Sequence, residues 1–217
     1  MAFTNPSKPA GLSPIKSISG TPWNSVANPY YIAPGDTNAY YPGDLVKLQT
    51  AGDPATGLSG ITLGTAGATA IGVVVAVGLS AQLAGGGFGG PYINPNNLGL
   101  TYRPSGAQSA AYYALVVDDP NIIYEIQEGG AGTNLTQAAA GNNANIVYAA
   151  PAAGVSVSGT TLNNASVATT ATLNLRILCL AQRADNHFVT NPATGGGGQK
   201  WWVMINNHQF SSGTTGV

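Results

Sequence analysis

The stretch Ala111-Tyr-Tyr-Ala-Leu-Val-Val117, Asp118-Asp-Pro-Asn121, Ile122-Ile-Tyr-Glu-Ile-Gln127 decides the fold class. Two runs rich in β-branched and aromatic residues flank a short break, in which Pro and Asx residues favour a turn. In each run alternate residues share one face, so Val117 in the first run and Tyr124 in the second can cover one core. The pattern predicts a β-hairpin.

Other short apolar runs, bounded by Gly, Pro, Asn or Asp, predict further strands at Leu45–Leu48, Ile71–Val77, Leu173–Cys179 and Lys200–Asn206. Alternation places Cys179 on the apolar face of its strand, and it places Trp201, Val203 and Ile205 on one side of the last strand. Sustained apolar spacing at a helical period is lacking. We therefore predict a mainly β protein, a barrel or sandwich with little helix.

Proline and glycine divide the chain into three parts. Residues 1–29 contain five prolines and few large apolar groups, which predicts an extended N-terminal arm. Residues 30–210 form the β-rich domain, with long Gly-rich irregular insertions near 79–105 and 129–166, and residues 211–217 form a short tail.

The composition limits the kinds of ligand. Only 15 of the 217 residues are charged and the net charge is −1, so a surface for nucleic acid, which needs clustered Lys and Arg, is not expected. Apolar runs such as Val73–Val77 are too short to span a membrane as a helix, and the first residues do not resemble a secretory signal. A weakly charged surface suits a protein that packs against copies of itself or a partner.

Candidate catalytic groups fit structural roles better than chemistry. The adjacent Asp118 and Asp119 are explained by the turn, and Cys179 is explained by its strand. Asp185 lies two residues before His187, but no nucleophile motif accompanies them. We expect no catalytic residues, no metal site and no cofactor.

The isolated Trp23 and the paired Tyr30 and Tyr31 are candidate interface anchors, because aromatic side chains give a large contact area at little entropic cost. Trp202 joins this set of candidate interface residues. The aromatic residues could equally stack on sugars, or pack within the protein itself.

Five stretches across the chain form a more specific pattern: Gly11-Leu-Ser-Pro-Ile-Lys-Ser17, Pro42-Gly-Asp-Leu-Val-Lys-Leu48, Ile71-Gly-Val-Val-Val75, Val116-Val-Asp-Asp-Pro-Asn-Ile-Ile-Tyr-Glu-Ile-Gln127 and Trp202-Val-Met-Ile-Asn-Asn-His-Gln209. Together they resemble the cement, or decoration, proteins of tailed-bacteriophage capsids. The resemblance implies a β-barrel or sandwich that is made in the host cytoplasm, attaches to the outer surface of the virion capsid and bridges major capsid subunits. It also implies a homo-oligomer, with a trimer favoured and a dimer possible.

Three other interpretations stay open. The first is a carbohydrate- or receptor-binding β module of a phage tail or spike, which shares the β fold and the low charge. An enzyme is less favoured because the few charged residues form no recognisable set. A major capsid protein would require a long helical segment that the chain lacks.

Overall fold

The computed structural model describes residues 5–79, 101–189 and 198–211. The chain is nearly all β and forms a barrel-like sheet and a second sheet, so the prediction of a mainly β fold is confirmed. Most of the predicted insertion near 79–105, and all but the first residue of the predicted tail, lie outside the described residues.

Five strands from one continuous part of the chain form the barrel. They close in the order β2-β4-β3-β5-β6, with β2 and β4 joined in parallel through Tyr31 and Gly60. The predicted strands at Leu45–Leu48 and Ile71–Val77 are both confirmed. The bounds are β2 Asn28–Ile32, β3 Leu45–Gln49, β4 Gly60–Leu63, β5 Gly72–Leu79 and β6 Tyr112–Val117.

Side-chain alternation separates the barrel interior from its outer wall. In β6, Tyr112, Ala114 and Val116 belong to the barrel core, whereas Val117 belongs to a second core outside the barrel. The barrel core also takes residues from the other strands and their loops: Tyr30, Ile32, Tyr40, Val46, Ile61, Ile71, Val74 and Val77.

The second sheet collects seven strands from distant parts of the chain. They pair in the order β8-β11-β12-β7-β10-β9, and β1 lies on the same edge of β7 as β10. The predicted irregular insertion at 129–166 contributes short strands and 3-10 helices at Gln137–Ala139 and Asn164–Ser166. The bounds are β1 Ser13–Ser17, β7 Ile122–Gly129, β8 Asn143–Ala144, β9 Ile146–Val147, β10 Thr161–Asn163, β11 Leu175–Leu180 and β12 Lys200–Ile205.

The inner face of the second sheet packs on the outer wall of the barrel. Leu45, Val73 and Val117 of the barrel join the same buried cluster as Trp201 and Tyr124. Trp201, Val203 and Ile205 lie on one side of β12 and are buried, as the alternation predicts. The two sheets therefore share a continuous apolar core.

The predicted hairpin at 111–127 is wrong, although its turn forms. The N–H of Ile122 donates to the carbonyl of Asp119 at 3.3 Å, with Pro120 between them. The flanking strands then diverge: β6 pairs with β2 and β5, while β7 pairs with β1, β10 and β12. Because β6 and β7 pair with different sets of strands, the turn becomes a corner between the two sheets.

Much of the predicted N-terminal arm is built into its own chain. Residues 13–17 form β1 on β7, and the Lys8 N–H donates to Gln127 Oε1 at 2.8 Å. Still closer to the terminus, Asn5 exchanges two hydrogen bonds with the backbone of His187, at 2.7 and 3.0 Å. The backbone is extended, as the prolines predict, but residues 5–17 are not a free extension.

The predicted position of Cys179 is also wrong. A β-bulge between Ile177 and Cys179 moves Cys179 opposite Trp202, on the outer face of the sheet. Cys179 is only half-buried there, and the Lys16 charge opposes the increase in its pKa that burial causes. A single extra residue in the strand therefore reverses the face that simple alternation assigns.

Candidate functional site

The four predicted interface residues lie in three different places. Tyr30 and Tyr31 are in the barrel wall and have 6% and 7% of their surface exposed, whereas Trp23 and Trp202 are half-buried. Trp202 lies on the outer face of the second sheet, with Lys16 4.8 Å above its ring. The interface role of the four residues stays a prediction, and the two tryptophans retain more surface for it.

Trp23 lines a cavity of about 220 Å³ at the junction of the two sheets. We call it the corner groove, since the β1–β2 connection forms one wall and the β6–β7 corner forms the other. The residues of the corner groove are Ser17, Thr21, Pro22, Trp23, Asn24, Val26, Val117, Asp118, Asp119 and Ile122.

The loop that carries Trp23 is held at both ends. The Trp23 N–H donates to the carbonyl of Ile15 at 3.0 Å, and its indole Nε1 donates to the carbonyl of Val26 at 3.1 Å. Between them, Ser25 has a φ of 67°, the one positive value at a non-glycine residue in the described part of the chain. The indole donor is therefore already satisfied, which leaves the apolar body of Trp23 as its contribution to the groove.

The carboxylates in the other wall accept hydrogen bonds from residues of the same chain. Asp118 accepts from Asn28 Nδ2 at 2.9 Å and from the Tyr30 hydroxyl at 2.7 Å. Burial, together with the bond to Asp118, raises the pKa of Tyr30 well above its usual range, so the phenol stays a donor. Asp119 accepts from the backbone and side-chain nitrogens of Asn121 at 2.8 and 3.0 Å.

Tyr30 therefore supports the groove from behind, through Asp118, rather than lining it. Tyr31 lies apart from this set and packs edge-on to Tyr113, with their ring centroids 5.9 Å apart. Of the four predicted residues, the structure links Trp23 and Tyr30 through the groove wall and places Tyr31 and Trp202 elsewhere.

The rim of the groove is apolar and exposed. Ile18, next to the groove residue Ser17, is 59% exposed, and Val26 is 63% exposed. Neither residue is identifiable from the sequence, because single apolar residues in a loop rich in Ser and Pro carry no periodic signal. With Trp23 they form an uncharged edge suited to contact with another surface.

The candidate catalytic groups are engaged in structural contacts. Asp185 pairs with Arg183, whose Nε lies 3.0 Å from Asp185 Oδ1, and the backbone of His187 is hydrogen-bonded to Asn5. His208, the other histidine of the chain, accepts through Nδ1 from the Phe210 N–H at 3.0 Å. Burial lowers the pKa of His208. Among residues 5–79, 101–189 and 198–211, no group of three or more His, Cys, Asp and Glu is placed to hold a metal ion.

No protein-family model, curated protein or solved structure matches the chain. Within its described residues, no helix has both the length and the apolar character needed to cross a membrane.

Proposed function

We propose that the protein is a non-enzymatic structural protein of a phage capsid that binds the outer shell and bridges major capsid subunits. The resemblance of its sequence to capsid decoration proteins supports this proposal, together with the β architecture and the low charge. It acts as a homo-oligomer, with a trimer favoured over a dimer, on the outside of the virion after synthesis in the host cytoplasm.

The observation that carries the proposal is the apolar rim of the corner groove. Ile18 and Val26 expose more than half of their surface beside Trp23. Covering such a rim releases water, and the two carboxylates in the groove wall already have internal hydrogen-bond donors: Asn28 and Tyr30 for Asp118, and Asn121 for Asp119. The half-buried Trp23 offers the aromatic anchor that strong contacts favour. The major capsid protein is the proposed occupant. Many such contacts on one shell would act together through avidity.

Binding to expanded, undecorated capsids of the same source tests the proposal. We expect saturable co-sedimentation and a higher capsid melting temperature, and we expect the Ile18→Ser/Val26→Ser variant to lose both. Phe210→Ser is the matched control, because Phe210 is also an exposed apolar residue, at 55%, but lies outside the groove. Absence of binding by the folded wild-type protein would overturn the proposal.

A second candidate function is saccharide binding in the same groove, by a tail or spike module. The specific observation is that the groove combines an aromatic side chain, Trp23, with carboxylate and amide groups at Asp119 and Asn24. A glycan array separates the two functions, since a decoration protein does not need sugar binding. Glycan signal that disappears in Trp23→Ala, together with no capsid binding by the folded wild-type protein, would favour the second function.

A further inference from the structure

The few charges of the protein are distributed unevenly. All 15 charged residues lie within the described parts of the chain, so their distribution is complete. Four of the seven basic residues lie on or beside the outer face of the second sheet: Lys8, Lys16, Arg183 and Lys200. The acidic residues on that side are Glu125 and Asp185, and Arg183 contacts both.

Strand register explains why these side chains face outward. On β12, Trp201 and Val203 are buried in the core, so Lys200 and Trp202 point to the other side. Lys200 lies opposite Gln127 of β7, and Trp202 lies opposite Glu125. Directly opposed residues on neighbouring strands share a face, so lysine, glutamate and glutamine meet on one surface.

These residues border a small cleft. Its volume is about 220 Å³, and its charged residues are Lys8, Arg183, Lys200 and Glu125. Three basic groups and one acidic group line the cleft, a formal charge of +2, and Asp185 beside Arg183 reduces the local charge to +1, in a chain whose net charge is −1. We call it the cationic cleft.

The cationic cleft already binds carboxylates of its own chain. Arg183 Nη1 lies 2.8 Å from Glu125 Oε1, and Arg183 Nε lies 3.0 Å from Asp185 Oδ1. Arg183 is thus neutralised by internal partners. Among the described residues, neither Lys8 nor Lys200 forms an ion pair, although, after the hydrogen bond from Arg183, the Lys200 charge helps to lower the pKa of Asp185. The two lysines therefore contribute positive charge to the lining of the cleft that no carboxylate contacts directly.

We infer that the cationic cleft binds carboxylate side chains of an acidic segment of another protein. Its volume is below the roughly 300–1,000 Å³ of small-molecule pockets, but it suits one or two side chains. Two lysine ammonium groups match a pair of carboxylates, and the rest of the surface has little charge to compete for an acidic segment. The inference does not depend on the capsid proposal.

Titration with a capped Gly-Glu-Glu-Gly peptide, followed by amide resonances in NMR, tests the inference. We expect weak, saturable binding that shifts the resonances of Ser13, Gln127 and Lys200. The binding should disappear in 1 M salt, because the Debye length, beyond which charges are screened from one another, falls there to about 3 Å. The Lys8→Gln/Lys200→Gln variant should bind about tenfold more weakly, since partly exposed ion pairs contribute roughly two- to five-fold each.

Two comparisons make the result specific. Lys47→Gln removes one positive charge from the barrel, outside the cleft, and should leave peptide affinity unchanged. The Gly-Gln-Gln-Gly peptide should not bind, and inorganic phosphate should bind more weakly than the acidic peptide. Thermal melting of each variant confirms folding.

Three outcomes would overturn the inference. The first is that the acidic peptide leaves the cleft resonances unshifted. The second is that phosphate binds as tightly as the peptide, which would make the cleft a general anion site. The third is equal loss of affinity in Lys47→Gln. A failed capsid-binding assay would leave the inference intact, because the peptide titration uses the isolated protein.

Discussion

The barrel and the second sheet use different kinds of polar contact beside their apolar cores. The barrel encloses an apolar core, and tyrosine hydroxyls near its loops donate to carboxylates, as in Tyr113 to Asp53 at 2.6 Å. The second sheet has one buried carboxylate, Glu128, and otherwise relies on buried amides, including Asn174 and Gln199, which are fully buried and hydrogen-bonded. The contrast explains the composition: amide side chains satisfy the backbone of irregular segments without adding charge.

One barrel residue depends on polar contacts to an unusual degree, and its loss should have the largest effect. Arg103 is fully buried, and its guanidinium donates to loop carbonyls that include those of Asn38 and Asp36. Arg103→Met would leave these carbonyls without their donor, so we expect a loss of about 4 kcal/mol in the free energy of unfolding, measured by urea denaturation.

The exposed Arg176 provides the matched control. Arg176→Met should cost less than about 1 kcal/mol, because water can replace its contacts. Equal losses of unfolding free energy in the two variants would show that burial does not determine the contribution of Arg103 to stability.

Asp44, at the start of β3, should make stability depend on pH. Burial raises the pKa of Asp44 to about 6 from its ordinary value of 3.8, although hydrogen bonds from Ser158 and the Tyr41 N–H lower it. The folded state therefore holds the proton more tightly than the unfolded state. The stabilising effect of this difference is complete below about pH 4 and is lost as pH rises through about 6.

Asp44→Asn removes this dependence, so the variant should be more stable than the wild type at pH 7, by up to about 3 kcal/mol. The gap should shrink towards zero near pH 4. Comparing the two proteins at each pH cancels His208, whose lowered pKa acts in the opposite direction, since its stabilising effect is lost as pH falls. A gap that stays constant from pH 4 to pH 8 would contradict the assignment to Asp44.

Asn174 joins the second sheet to a loop of the barrel. Its Nδ2 donates to the carbonyls of Thr65 and Ala68 at 3.0 and 2.7 Å, and its Oδ1 accepts from the Gly67 N–H at 3.1 Å. The Gly67 N–H has a second acceptor, Asn145 Oδ1, at 2.9 Å, so the loss of Asn174 acts on the loop as a whole. Asn174→Ala should cost about 2 kcal/mol and should speed hydrogen exchange across the loop from Thr65 to Ala70. Asn24 is exposed, so Asn24→Ala should change neither the free energy of unfolding nor the rate of hydrogen exchange. If exchange is also unchanged in Asn174→Ala, the proposed role of Asn174 is refuted.

The smallest effect is expected at Cys179. Because the bulge places it on the half-buried outer face, Cys179→Ser should change the free energy of unfolding by less than about 1 kcal/mol. Ile177→Ser, two residues earlier and fully buried, should cost several times more. Similar losses at both positions would place Cys179 in the core after all.

These two regions also show what the sequence can predict. The barrel strands β3 and β5 follow from compact apolar runs, and the buried face of β12 follows from simple alternation. The partners of β6 and β7 do not follow, because a turn sequence fixes a change of direction but not the pairing of the strands that leave it.

The candidate site was harder to predict for a related reason. Trp23 could be identified as an isolated aromatic residue, but Ile18 and Val26 form a rim only because β1 and the β6–β7 corner come together in space. The cationic cleft likewise combines residues 8, 125, 183 and 200, which no local pattern connects. Only the pairing of β7 with both β1 and β12 brings them together.

The pairing of β7 also has a consequence for synthesis on the ribosome. All barrel strands lie between Asn28 and Val117, whereas β7 needs β12, which ends at Ile205. Domains made first can fold first, so the nascent chain should close its barrel while the remainder is still being translated. Until β12 emerges, the outer barrel wall around Val73 is uncovered, and a chaperone that shields it would raise the yield of native protein.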